Sequence, residues 1–341
     1  MFLPLISFAI PILLLYILEP ATFEVMWKGR TFQIFFIWLM GLELILDWDS
    51  LRESKLHRLN SLRTVLIATT IVLPTLYVVA SYYWGLNEFI TNWAIQNHVT
   101  QGLSSEIALW WEQSFPLSTE YLAFAAIFSI HVWLVYGIKG IKGYSVPAFF
   151  LFMVGAVYII DSVFPYGQFA PFQIFVPTTT ALAAAILNLM GYATNISYIQ
   201  NSTQGTMSQL TAVQNSASAT FSIAWPCAGI ESFLIFTVVV MLFLKRMNMS
   251  WKGKTGYFVF GAAVTYFINA FRIVNIFTTG IVYGVSSSQV NEIHVYYGPL
   301  YAVSWIVIYP LLIMVTQSLW RKMINRKQPI AKTQPSSLTP V

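Results

Sequence analysis

Charged residues are scarce in this chain of 341 residues. Only 9% of the residues are Asp, Glu, Lys or Arg, whereas 57% are hydrophobic. A water-soluble domain carries about 25% charged residues, so this composition excludes a soluble enzyme, a secreted disulfide scaffold and a disordered protein. The net charge of +5 is typical of the basic loops of membrane proteins. We therefore expect an integral membrane protein and no nucleic-acid partner.

Cysteine is also nearly absent, since Cys227 is the only one in the chain. A single cysteine permits neither an intramolecular disulfide nor a cysteine-based metal cluster. The sequence predicts no metal site and no cofactor. A lone cysteine in a membrane protein is usually a packing residue, so evidence for a chemical role has to come from its neighbourhood.

Long apolar runs are present instead, such as residues 233–244. Continuous runs predict helices, because the strands of a membrane barrel alternate in polarity. The predicted fold is all-α, a polytopic helical membrane protein with about eight transmembrane helices and a short re-entrant helix before the cysteine. One integral membrane domain, 1–319, precedes a basic tail, 320–341, that we expect to be disordered. The predicted spans are 2–18, 31–46, 62–84, 120–138, 146–163, 227–244, 256–275 and 294–318.

The positions of the cations predict the orientation. Of the 18 Lys and Arg residues, most lie in three loops and the tail, and such clusters mark the cytoplasmic side. Both termini are then cytoplasmic, and the protein is a multi-pass protein of the cell membrane. Lys28 and Arg30 are exceptions in an external loop, where Glu19 and Glu24 partly offset them. The cytoplasmic set is Arg52, Lys55, Arg58, Arg63, Lys139, Lys142, Lys245, Arg246, Lys252, Lys254, Arg321, Lys322, Arg326, Lys327 and Lys332.

The stretch 177–226 must begin and end on the outer side in this topology. Either 177–190 is a short helix that enters the membrane and returns, or 205–224 is a second, weakly polar crossing. A helix of about 14 residues is only ~21 Å long, too short for a hydrocarbon core of ~30 Å. Residues 195–222 are rich in Ser, Thr, Asn and Gln. This composition favours a re-entrant helix followed by an external polar segment.

Arg272 is the one cation that loop positions do not explain. It lies in the apolar helix 257–277, ~24 Å from its cytoplasmic start, where a charge costs roughly 2.5 kcal/mol unless it has a polar partner. Snorkelling to the interface is one explanation. Cys227 and His294 open helices at the same depth, and a helix start lowers the pKa of a thiol. A thiolate, an acid/base and an oxyanion-stabilising cation together suit acyl transfer on the extracytoplasmic face.

Three motifs resemble those of the exosortase/archaeosortase family. Residues 226–232, Pro-Cys-Ala-Gly-Ile-Glu-Ser, resemble the family's Cys-Ser/Ala-Gly-Ile-x-Ser signature. Residues 269–273 resemble its Asn-x-x-Arg-Ile element, and 294–298 its His-x-x-x-Gly element. The resemblance covers about residues 165–318. It implies a membrane-embedded cysteine transpeptidase or protease with Cys227 as nucleophile, His294 as acid/base and Arg272 as stabiliser of the thiolate or oxyanion.

The resemblance also implies the partners. Such enzymes process proteins whose C-terminal sorting signal consists of a short motif, a transmembrane helix and a basic cluster. Cleavage through a thioester would be followed by transfer to an acceptor such as a membrane lipid.

Four further residues are expected to support this site. Glu231 departs from the arginine of many bacterial members, which favours an archaeal-type member. It lies one helical turn after Cys227, and we hypothesise that it pairs with Arg272 or His294. Asn269 and Asn275 are candidates for orienting the guanidinium of Arg272, and Ser232 for packing or capping.

Two other functions fit parts of the pattern. A transporter or lipid-binding membrane protein could use Arg272 to hold an anionic ligand, in which case Cys227 would be dispensable. A membrane acyltransferase could use His294 without a thiol.

Overall fold

The computed structural model describes residues 2–24, 28–46, 48, 61–100, 112–164, 169–201 and 205–327. The chain forms a helical bundle with one small sheet. Its elements are α1 (Leu3–Leu18), α2 (Thr31–Leu46), α3 (Ser61–Tyr83), α4 (Leu86–Gln96), α5 (Phe115–Gly143), α6 (Ser145–Val163), α7 (Ala170–Gln173), α8 (Phe175–Leu189), β1 (Ala193–Asn201), β2 (Gly205–Gln214), β3 (Ala217–Ile223), α9 (Ile230–Arg246), α10 (Trp251–Tyr283), α11 (Ser288–Glu292) and α12 (Gly298–Lys327). Short 3₁₀ turns cover Pro20–Phe23 and Trp225–Ala228, and a π-turn covers Ile293–Tyr297.

The prediction of a polytopic helical membrane protein is confirmed. In the described part of the chain, six helical segments are long and apolar enough to cross a membrane, and α1 and α2 are shorter apolar helices. The span predicted at 227–244 is α9, which begins at Ile230. The last helix continues to Lys327, so the predicted tail is helical at its start, and residues 328–341 lie outside the described residues. The six segments are Leu62–Tyr83, Phe115–Gly143, Ser145–Val163, Pro171–Leu189, Trp251–Tyr283 and Leu300–Trp320.

Basic residues from separate loops meet at one end of the bundle, which we call the basic end and define by Arg63, Lys245 and Arg246. The buried carboxylate of Glu43 pairs with Lys245 at 3.0 Å and with Arg246 at 2.8 Å. The Arg63 guanidinium donates to the carbonyl of Leu134 near the end of α5. These contacts show that the loops predicted to share a side do share one end. Among the other predicted cytoplasmic cations, Arg52, Lys55, Arg58 and Lys332 lie outside the described residues.

The core of the first half of the chain is aromatic. The ring of Phe8 in α1 makes edge-to-face contacts with Phe36, Phe124 and Phe128, with centroid distances of 5.5 to 5.6 Å. Edge-to-face geometry is favoured because the positive edge of one ring meets the negative face of another. These rings join α1, α2 and α5 into one unit.

Helix α10 is long enough to connect two layers of the molecule. Its 33 residues give a length of ~50 Å, well beyond the ~30 Å of a hydrocarbon core. Its first half packs with α9 and α12, and its second half packs with α8 and the sheet. Arg272 is ~32 Å from Trp251 along the helix axis. The part of α10 beyond Arg272 therefore carries structure at the far end of the bundle.

That structure is a three-stranded antiparallel sheet in the order β1-β2-β3. The segment 195–222, which we expected to be polar and external, forms most of it. Along β3, Ala219 and Ile223 are buried, whereas Ser218, Thr220 and Ser222 are exposed. The period-two alternation gives the sheet one apolar face, and that face covers α8 and α10. Phe221 packs on Phe277 of α10 with a centroid distance of 5.0 Å.

The short helix predicted before the cysteine is α8. It begins beside Tyr266, whose hydroxyl donates to Thr178 at 2.7 Å. Tyr266 precedes Arg272 by six residues, or ~9 Å along α10. Helix α8 therefore starts closer than Arg272 to the basic end of the bundle, and it runs from there to the sheet. With α7 it forms the apolar segment Pro171–Leu189, which is longer than the predicted helix of about 14 residues.

Candidate active site

Cys227 lies in the 3₁₀ turn that connects the sheet to α9. Strand β3 ends at Ile223, the turn covers Trp225–Ala228, and α9 begins at Ile230. The expected start of the helix at Cys227 is thus displaced by three residues, because Gly229 adopts a left-handed conformation with φ of 93°. Trp225 is fully buried, and its ring packs on that of Phe172 with a centroid distance of 5.2 Å. The nucleophile candidate is held on a turn anchored by this buried tryptophan.

Asn269 fixes the backbone of that turn. Its side-chain amide Nδ2 donates to the carbonyl oxygen of Cys227 at 3.0 Å. A Cβ on Gly229 would lie 2.6 Å from the Asn269 amide carbon, so a glycine is required there for space as well as for its positive φ. Asn269 was expected to orient Arg272. In the structure it holds the turn that carries Cys227.

Arg272 and His294 meet at the π-turn before α12. The Nη2 of Arg272 donates to the backbone carbonyl of His294 at 2.8 Å. The Arg272 side chain lies against Gly298, where a Cβ would come within 2.5 Å of Nε and 2.8 Å of Cδ. The glycine of the His-x-x-x-Gly element thus leaves the room that this side chain occupies. The two motifs are coupled by direct contact.

Electrostatic interactions join the three predicted catalytic residues. Burial raises the pKa of the Cys227 thiol, and the nearby Arg272 cation acts in the opposite direction. Partial removal from water and the same cation lower the pKa of His294, so its imidazole is neutral at pH 7. We expected the helix start to lower the thiol pKa, but in the turn the half-buried thiol has a raised pKa, and its partial removal from water is the largest cause. Arg272 is the group whose charge acts on both the thiol and the imidazole.

The other predicted residues differ in their proximity to this site. Glu231 is within electrostatic range of Arg272, Cys227 and Asp161, but it makes no ion pair within 4 Å in the described part of the chain. Its hypothesised direct pairing with Arg272 or His294 is absent from the described contacts. Ser232 is buried within α9. Asn275 lies one turn beyond Arg272, where its carbonyl accepts from Thr278.

A buried ion pair next to Glu231 was not predicted. Lys28 and Asp161 are 3.0 Å apart, with 8% and 1% of their side chains exposed. Burial lowers the pKa of Lys28 to about 8, against the opposing effect of Asp161. Arg30 pairs similarly with the buried Glu120 at 2.8 Å. The sequence contains an indication of these ion pairs, since Lys28 and Arg30 lie in a loop predicted to be external, whereas Lys and Arg are otherwise concentrated in the predicted cytoplasmic loops.

The chain also matches a known protein family. The model of the family described as transmembrane exosortase (Exosortase_EpsH) matches residues 27–313. The chain belongs to the exosortase family. Searches of curated proteins and of solved structures found no significant match.

Exosortases are membrane proteins of the cysteine transpeptidase type that act on substrate proteins bearing a sorting signal. The chain is thus a membrane enzyme of this general class. The family match begins at residue 27, far before the region 165–318 that the motifs indicate. It therefore includes α2, α3, α5 and α6, which carry no motif and which pack the bundle that supports α9.

Proposed function

We propose that this exosortase uses Cys227 as the nucleophile that cleaves proteins bearing a sorting signal. The part of the substrate before the cleaved bond is then held as a thioester on Cys227 and is transferred to a membrane-associated acceptor. The convergence of Cys227, Arg272 and His294 from three separate elements carries this proposal. Cys227 comes from the turn before α9, Arg272 from α10, and His294 from the π-turn before α12.

The first half of the reaction forms the thioester. The sulfur of Cys227 attacks the carbonyl carbon of the scissile amide while His294 accepts the thiol proton. His294 then gives this proton to the amide nitrogen as the carbon–nitrogen bond breaks, and the signal's transmembrane helix leaves. The guanidinium of Arg272 has five N–H donors, and one is bonded to His294. The remaining donors and the positive charge support its role in stabilising the oxyanion.

The second half releases the substrate. An amine or hydroxyl of the acceptor loses its proton to His294 and attacks the thioester carbon, and the sulfur of Cys227 leaves and is reprotonated. We further propose that this chemistry takes place on the outer face of the cell membrane, because the basic end of the bundle, on the opposite side from the site, matches the cytoplasmic loops of other membrane proteins. A lipid headgroup is one acceptor of suitable chemistry.

Reporter processing tests the role of the cysteine. The reporter is a secreted protein fused to a C-terminal sorting signal from a protein of the native host, coexpressed with the full chain. We expect wild-type membranes to shorten the reporter and Cys227→Ala membranes to leave it intact at equal expression. Brief trapping should reveal a reporter adduct on the wild-type chain that neutral hydroxylamine releases, as a thioester requires.

The alternatives give different results in the same assay. A transporter that binds an anion through Arg272 would leave the reporter unprocessed by any variant. An acyltransferase that relies on His294 without the thiol would retain its activity in Cys227→Ala. Either outcome would overturn the proposed function.

A further inference from the structure

Strand β3 is an edge strand whose outer side is open. Its residues pair with β2 alone, from Ser208 opposite Ile223 to Gln214 opposite Ala217. Within the described residues, no backbone hydrogen bond connects β3 to any element other than β2. Natural proteins protect such edges with charges, proline or bulges, but the sequence of β3, Ala-Ser-Ala-Thr-Phe-Ser-Ile, contains no charge and no proline. An unprotected edge offers unpaired backbone groups to an added strand.

A cavity of about 460 Å³ lies beside this edge. Phe221 of β3 forms one side, Ile276 of α10 forms part of the lining, and the segment 285–294 forms the opposite side. His294 is one of the lining residues, so the cavity includes one of the three candidate catalytic residues. The others are Val285, Ser286, Ser287, Val290 and Asn291. Apart from the histidine, this lining is apolar or uncharged.

The edge also leads to the nucleophile. Strand β3 packs along α10 beside Gly280 and Phe277, and the chain reaches Cys227 four residues after Ile223. The strand therefore runs toward the active site, in the opposite direction to α10. An extended peptide placed along β3 would pass His294, which lines the cavity, and would point toward Cys227.

From these observations we infer that the extended segment preceding the transmembrane helix of the sorting signal binds as a fourth strand on the outer edge of β3, in the cavity between β3 and residues 285–294. This inference rests on the proposed function, because it assigns the substrate of that same site. Strand addition supplies affinity through main-chain hydrogen bonds, and pockets for alternate side chains supply specificity. The uncharged lining selects uncharged side chains in the positions that face the cavity.

The direction of the added strand follows from the membrane. The signal's transmembrane helix continues into the bilayer after the scissile bond, so the segment before it approaches from the side of the sheet. It then runs toward Cys227 in the same direction as β3. The added strand is therefore parallel to β3, whereas the existing pairs are antiparallel.

Disulfide mapping tests both the location and the direction. The Cys227→Ala chain contains no cysteine and cannot turn over, so a cysteine introduced at Thr220 or Ser222 reports binding alone. Single cysteines are scanned along the segment that precedes the transmembrane helix of the reporter described above. Matched controls are Asn195→Cys and Ser197→Cys on β1, because Asn195 and Thr220 both pair with Thr211, and Ser197 and Ser222 both pair with Gln209. The two outer strands are thus probed at equivalent rows of the same sheet.

We expect disulfides from Thr220→Cys and Ser222→Cys at alternate reporter positions, and at least tenfold less product from the β1 controls. Moving the cysteine from 220 to 222 should shift the preferred partner by two residues toward the signal helix. A shift in the opposite direction, equal reaction on β1, or no reaction on β3 would overturn strand addition. If the wild-type chain processes the reporter and β3 does not react, the docking inference alone is wrong. If the wild-type chain leaves the reporter unprocessed, the proposed function and the inference both fail.

Discussion

The side chain of Arg272 is central at the scale of single residues, because one guanidinium acts on two of the proposed catalytic groups. It opposes the effect of burial on the pKa of Cys227 and contributes to the lowered pKa of His294. It also donates to the backbone that presents His294. Its placement depends on Gly298, whose missing side chain leaves space for it.

Removing the charge of Arg272 should shift the pH dependence of the enzyme in a defined direction. In Arg272→Gln, the His294 imidazolium is no longer repelled, so the pKa of His294 rises and the acid limb of reporter processing moves to higher pH. The pKa of Cys227 rises further, and its alkylation by iodoacetamide at pH 8 slows by roughly tenfold per unit of that rise. Arg272→Lys keeps the charge without the planar fork, so its pH dependence of reporter processing should be closer to that of the wild type. A pH dependence in Arg272→Gln that equals that of the wild type would contradict this account.

Substitution of Gly298 should damage activity without damaging the fold. Gly298 has an ordinary helical φ of −61°, so an alanine there meets no backbone strain and acts only by displacing Arg272. We expect Gly298→Ala to lower the rate of reporter processing by about tenfold or more, with little change in Tm. Gly256→Ala is the control, because a Cβ at that position meets nothing within 4 Å. Equal rates for the two variants would show that the contact with Gly298 is unimportant.

At the scale of elements, the turn between β3 and α9 joins the sheet to the helix bundle and carries Cys227, the proposed nucleophile, between them. Apolar runs in the sequence predict most of the membrane helices, since burial in lipid leaves few other structures possible, but the segment Pro171–Leu189 is longer than the short helix that we expected there. The sheet was not predicted, although Ala217, Ala219, Phe221 and Ile223 alternate with Ser or Thr. Small and hydroxylated residues weaken the contrast between faces on which such patterns depend. The role of Asn269 was also missed, because it depends on a contact across 42 residues of sequence.

Two left-handed glycines allow the turn to be tested against backbone strain. Gly229 and Gly85 have φ of 93° and 73° with ψ of 18° and 19°, but a Cβ collides with Asn269 at the first position and makes only an ordinary contact of 3.8 Å with Glu88 at the second. Each alanine variant should lose ~1 kcal/mol or somewhat more from the left-handed conformation. Only Gly229→Ala should also lose reporter processing, by at least tenfold. Comparable processing by both variants, with similar Tm in detergent, would refute a positioning role for this contact.

At the scale of the whole molecule, charge divides the protein into two ends. Lys245 and Arg246 converge on Glu43 at the basic end, whereas Arg272 and the sheet lie toward the other end of α10. Because charged residues are scarce, their positions in the sequence predict which loops share an end of the bundle. The same scarcity leaves Arg272 as the cation whose position the loops do not explain.

Labelling of intact cells should reveal which end faces outward. In the Cys227→Ala background, Ser218→Cys and Lys252→Cys each place a single cysteine at an exposed position. A membrane-impermeant maleimide should label the cysteine at 218 on intact cells and that at 252 only after permeabilisation. The reverse pattern would place the candidate active site on the cytoplasmic side.

The sheet is built from one uninterrupted stretch of sequence, 193–223, inserted between α8 and the turn that bears the cysteine. Its packing partners are α8 and α10, so its junctions with the rest of the protein are few. We therefore expect this stretch to be exchangeable between exosortases. Grafting the corresponding stretch of another exosortase, with the residues on α8 and α10 that it covers, would then redirect the enzyme to a foreign sorting signal while its own cysteine, arginine and histidine remain in place.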